Sequence, residues 1–161
     1  MTIVWPGWHD PYMTSGSEAS DAVEVPGPEP DWTQAAQQQG RKGNPAFQYF
    51  MWDQAIGDFR EIALLRVRFP DVASRLRLVV EEGMAAQLGP VEAAFFSIGR
   101  VGFAISRWQG EPVGVAVWLH RRETTAPDEA LDQLLAALGV DRSAVAASVD
   151  AEGQWSEATP G

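Results

Sequence analysis

Residues 91–120 read Val91-Glu92-Ala93-Ala94-Phe95-Phe96-Ser97-Ile98, Gly99-Arg100, Val101-Gly102-Phe103-Ala104-Ile105-Ser106-Arg107-Trp108, Gln109-Gly110-Glu111-Pro112 and Val113-Gly114-Val115-Ala116-Val117-Trp118-Leu119-His120. Three strand-length runs, rich in aromatic and β-branched residues, are separated by turn chemistry. Connections this short require antiparallel neighbours, so the segment is expected to form a meander. Gly102 and Gly114 fall inside runs, where a glycine marks a bulge or the close approach of another element.

C-terminal to the meander, 126–139 reads as a helix. Pro127 comes early, Asp128 and Glu129 occupy the first turn, and Gly139 stops it. Leu131, Leu134, Leu135 and Leu138 form its apolar stripe. Either Asp141 caps another short element or residues 144–149 form a last strand, and 151–161 read as a frayed tail.

N-terminal to the meander, 46–65 carries Met51, Trp52, Ala55, Ile56, Phe59, Ile62 and Ala63 on one face at 100° per residue. That spacing predicts an amphipathic helix, with Asn44 and Pro45 at its start. Residues 62–69 fit either its end or a strand closed by Pro70. Residues 71–88 predict a second helix on Val72, Leu76, Val79, Val80 and Gly83, with a strand over 75–80 as the competing reading. The expected fold is therefore α+β: a three- to four-stranded antiparallel meander covered on one face by helices.

Residues 14–31 combine Pro, Gly, Ser and acid without apolar periodicity, and 34–44 are polar and Gly-broken. Such segments bury too little apolar surface to offset the cost of ordering. Residues 1–44 are thus expected to be a flexible, disordered acidic arm, 45–150 a single domain and 151–161 a flexible tail. Within the arm, 5–13 form an aromatic island: Trp5-Pro6-Gly7-Trp8-His9-Asp10-Pro11-Tyr12-Met13. Trp5, Trp8 and Tyr12 are its candidate anchors for docking, in cis or onto a partner.

The chain of 161 residues is 45% apolar and carries a net charge of −10. The first forty residues hold six acids and no base, whereas 45–150 are nearly balanced. The acidity argues against general binding to nucleic acid or anionic membrane, and no apolar run has transmembrane length. Without cysteine there is no disulfide, thiolate nucleophile or Cys-ligated metal. A cytoplasmic location fits these features.

Two histidines, His9 and His120, cannot build a His-rich metal site. No phosphate loop, dinucleotide fingerprint or nucleophile elbow occurs, so neither metal nor cofactor is expected. The polar cluster His120-Arg121-Arg122-Glu123 lies where a strand gives way to a loop. His120 is the candidate base and Glu123 its candidate orienting group; otherwise the cluster is a solvated strand end. Glu81-Glu82 do not share a helix face, and Trp52, Trp108 and Trp118 read as core. Arg66, Arg68, Arg75 and Arg77 pair at i, i+2 and form a candidate binding patch, unless neighbouring acids neutralise them.

These features point to a non-catalytic protein-interaction module, an adaptor, chaperone or inhibitor with a protein partner, with a homodimer left open. The alternatives are a small enzyme or ligand-binding domain using the His120 cluster and, third, a nucleic-acid binder using the Arg patch.

Overall fold

The computed structural model describes residues 22–27, 37–38, 50–86, 89–108 and 114–158, with the backbone alone at 37, 38, 50 and 51. The meander is present. Strand β5 (Gly89–Ile98) pairs antiparallel with β6 (Val101–Trp108), which pairs with β7 (Val115–His120). Gly99, at φ 60°, turns the chain between β5 and β6 in a conformation that favours glycine.

The sheet is wider than the expected three or four strands. Strand β4 (Glu81–Ala85) lies beside β5. Beyond β7 come β3 (Phe59–Leu65), β8 (Val145–Val149) and β9 (Trp155–Glu157). Seven antiparallel strands thus run in the order β4-β5-β6-β7-β3-β8-β9. Two short strands, β1 (Gln37–Gln38) and β2 (Phe50–Met51), add to β5 and, in parallel, to β4.

Strands β3 and β4 come from the two segments expected to be helical, and β9 from the segment expected to be a flexible tail. Of 46–65, only α1 (Trp52–Ala55) and one 3₁₀ turn at Ile56–Asp58 are helical among the described residues, and 59–65 are extended as β3. A register shift between Glu61 and Ala63 makes Ile62 an extra residue in β3. Such a bulge breaks period-two alternation and lets Phe59, Ile62 and Ala63 imitate helical spacing. Of 71–88, α2 (Phe69–Arg75) is helical, and 81–85 form β4. Pro70 does not end the preceding element; it sits in the first turn of α2, where a missing N–H costs nothing. Between them Val79 is 56% and Val80 37% exposed, so these valines are surface rather than helix stripe.

Helix α3 (Pro127–Leu138) forms as its sequence requires, and Gly139 ends it at φ 72°. Its leucines join Phe96, Phe103, Ile105, Val117 and Leu119 in the main core, together with Phe69 and Val72 of α2 and Leu76 just after it. The second face of the sheet carries its own cluster, built on Phe59, Phe95, Ala104, Ala116 and Trp118 and covered by Trp52 and Ala55 of α1. Strand β6 makes the division visible: Val101, Phe103 and Ile105 enter the first core, and Ala104 the second. Helical cover is therefore not confined to one face. Each large apolar side chain so buried contributes about 1.5–3 kcal/mol.

Two pieces of the acidic arm lie on the body. Val23 bridges Val67 in parallel, its N–H donating to Arg66 O at 2.7 Å, and Val25 is buried in the main core. Gln37 and Gln38 form β1. The aromatic segment 5–13 lies outside the described residues. No helix among the described residues is long and apolar enough to cross a membrane.

Candidate functional site

The second face of the sheet concentrates the aromatic and titratable groups. Directly opposed residues of an antiparallel pair share a face. Phe59 opposes His120 and Glu61 opposes Trp118 across β3 and β7; Ala104 opposes Trp118, and Phe95 opposes Ala104. The small side chains Ala93, Ala104 and Ala116 leave room for rings above them. Trp52 fills that room, with its ring 5.6 Å from Trp118, 6.1 Å from Trp108 and 6.3 Å from Phe95. Phe59 adds an edge-on contact with the His120 ring at 5.0 Å and a tilted one with Phe95 at 5.6 Å. The three tryptophans read as core thus belong to one cluster: Trp52 and Trp118 are buried and Trp108 packs against them.

His120 and Glu123 both adjoin Gly102. A Cβ built there would stand 3.3 Å from His120 Cβ and 3.4 Å from Glu123 Oε1. This is a close approach of another element, one of the two roles that a glycine inside a strand serves. Glu123 Oε1 accepts the Gly102 N–H at 3.0 Å, and His120 Nδ1 accepts the Arg122 N–H at 3.3 Å. The imidazole is thus oriented by its own loop, and the Glu123 carboxylate is engaged by the backbone of β6. Arg121 is turned toward the 3₁₀ segment, its Nε donating to Gly57 O at 3.2 Å.

The four arginines are not gathered into one patch. Arg66 donates to the carbonyls of Val145 and Ala158, with its Nε buried and without a partner among the described residues. Arg68 is exposed, 4.0 Å from Asp71. Arg75 is buried and donates to Ala137 O at 3.2 Å and Gly27 O at 2.7 Å, tying α2 to the end of α3 and to the arm. Arg77 is exposed beyond α2, at a left-handed φ of 52°. Arg107 pairs with Glu92 and lies over the Phe69 ring, while Arg142 pairs with Asp128 and Asp132. Four of these arginines, Arg66, Arg75, Arg107 and Arg142, hold backbone carbonyls or acids of other elements, which makes them parts of the scaffold.

Glu61 is the group that sequence reasoning missed. It is half-buried, and no described residue donates a hydrogen bond to it or pairs with it. Burial pushes its carboxyl from the ordinary 4.5 up to about 8. The bulge at Ile62 puts it there: Phe59 and Glu61 face the aromatic cluster, whereas Ala63 and Leu65, in the same odd-numbered phase, face the main core.

The same face continues beyond β3. Leu64 opposes Ala116 on one side and Ala147 on the other; Val149, two residues along from Ala147, opposes Trp155, and Ala147 opposes Glu157. Leu64, Ala147 and Val149 are half-buried, and Trp155 is 42% exposed. No group of three or more His, Cys, Asp or Glu among the described residues is placed to hold a metal ion. Comparisons with protein-family models, with curated proteins and with solved structures gave no match to this chain.

Proposed function

We propose that this chain is a non-catalytic protein-interaction module that docks a partner on the sheet face at its β8–β9 end. The observation that carries this reading is Trp155, 42% exposed on a terminal strand with Val149 opposite it. A large aromatic left to solvent beside half-covered apolar neighbours is the usual anchor of a protein interface. The catalytic reading has less support, because Glu123 engages Gly102 and His120 accepts from its own loop. The nucleic-acid reading loses its cationic patch to the internal bonds of Arg66 and Arg75. Random twelve-residue peptides displayed on phage, panned against the full chain and against Trp155→Ser, test the proposal. A pool that binds the parent and not the variant is expected. The same pool on both, or no enrichment, removes the reading.

A further inference from the structure

The apolar strip at the β8–β9 end is bounded by acids. Leu64, Val149 and Trp155 share their face with Glu61 toward the centre of the sheet and Glu157 toward its edge. Adjacent strands are about 4.8 Å apart, so β3, which carries Glu61, and β9, which carries Trp155, are roughly 10 Å apart across the sheet. That span suits one long side chain laid across β8. Trp155 at the far end, 42% exposed, offers a ring face to a cation.

Three arginines of the described residues are committed elsewhere. Arg66, the nearest along β3, holds the Val145 and Ala158 carbonyls, and Arg107 and Arg142 hold acids. A second copy would bring a matching acidic strip and another −10 of charge. The arm segment 5–13 contains Asp10 and neither Lys nor Arg. Both are poor complements to two acids.

We propose that this strip receives a Lys or Arg from an extended, basic segment of a protein partner, the stem lying over Val149 and Leu64 and the charged head meeting the Glu61 carboxyl. The proposal rests on the protein-interaction reading above and names the chemistry of its partner. Long basic side chains bury an apolar stem while presenting a charged head, which matches a strip that ends in a carboxyl.

The pairing has a signature in protons. Glu61 in the free chain is held protonated by burial, with a midpoint of about 8. A cation stabilises the ionised form, so binding expels a proton below that midpoint. Affinity then rises about tenfold per pH unit, or about 50-fold from pH 6 to pH 8, and levels off above. The other titratable or charged groups on this face are His120, diagonal to Glu61 across β7, with Glu123, Arg66 and Glu157. Glu61→Gln separates its contribution from theirs.

The test uses the full chain and the peptides recovered by panning, made synthetically. Enriched peptides should carry Lys or Arg among apolar residues, and replacing that basic residue by Gln should weaken binding at least tenfold at pH 8. Calorimetry in two buffers of different ionisation enthalpy should show about one proton released at pH 7. Glu61→Gln, checked for folding by circular dichroism, should lose both the proton release and the pH dependence. Peptides that bind through Trp155 but lack a basic residue, or bind Glu61→Gln equally well, overturn this proposal and leave the interaction reading standing. Binding blocked until residues 1–21 are deleted, or a patch closed by dimerisation, also overturns it. No enrichment overturns both.

Discussion

Trp118 donates its indole N–H to Ser106 Oγ, 3.0 Å away, with both residues buried and on adjacent strands. The residue directly opposite Trp118 is Ala104, so the indole leans across the ladder to reach a hydroxyl one pair along. Ser106→Ala removes that acceptor and should cost about 1–3 kcal/mol. Trp118→Ala removes the ring as well and should cost about 3–5 kcal/mol. Urea unfolding of the two variants and their double checks this. If the hydrogen bond matters, the double variant will be less destabilised than the two singles added together.

Arg75 should be as costly to lose as a core residue. Only 5% of it is exposed, and its guanidinium holds carbonyls of Ala137 and Gly27. Arg75→Met keeps most of the stem and orphans both carbonyls, for an expected loss of about 3 kcal/mol. Arg75→Lys should recover little, because a point charge cannot serve two carbonyls in different directions. The local readout is hydrogen exchange at the Val23 amide, which bonds Arg66 O. Faster exchange there in Arg75→Met is expected; an unchanged rate would show that the arm is held without this residue.

Gly139→Ala should also destabilise this corner. The residue has φ 72°, and a Cβ would stand 3.2 Å from Pro26 Cγ and 3.4 Å from an Arg75 nitrogen. Left-handed backbone costs a non-glycine residue about 1–2 kcal/mol before any crowding. Thermal melts of Gly139→Ala and Gly139→Asn separate the two effects. Asn tolerates the backbone better, so a similar loss in both points to crowding against Pro26.

Much of this fold was legible because local pattern and tertiary role agree. Gly99-Arg100 marks a hairpin, and Leu131, Leu134, Leu135 and Leu138 face one core from a helix ended by Gly139. The reading of 46–65 failed because Ile62 is an extra residue in its strand, which turns a period of two into an apparent period near 3.6. Val79 and Val80 looked like helix stripe and are exposed loop. The site divides in the same way. His120 and Glu123 stand out as polar residues at a strand end. Glu61 does not, because only the pairing with Trp118 reveals which face it occupies. Trp155 lay in a segment read as a frayed tail.

The stability of the chain should fall as pH rises from about 5 to 8, and Glu61 should be the cause. Its folded midpoint of about 8 lies above the ordinary 4.5 that applies when the chain is unfolded. Between these values the folded chain binds a proton that the unfolded chain does not, so unfolding releases it and is favoured by raising pH. Below the unfolded value both states are protonated and the group contributes no slope. In the window the loss approaches about 1.4 kcal/mol per pH unit, and it stops above the folded midpoint. Asp141 has the opposite sign: the Ser143 side chain and then its N–H lower the Asp141 carboxyl, so its influence falls at more acidic pH, outside this window. Gln reproduces the neutral carboxyl without a proton to lose. Glu61→Gln should therefore match the parent near pH 5 and exceed it at pH 8, with a flatter dependence between. Urea midpoints taken at half-unit steps from pH 5 to pH 8.5 measure this directly. Parallel slopes for parent and variant would mean that Glu61 titrates as an ordinary surface acid, and would remove the proton-linked part of the docking proposal with it.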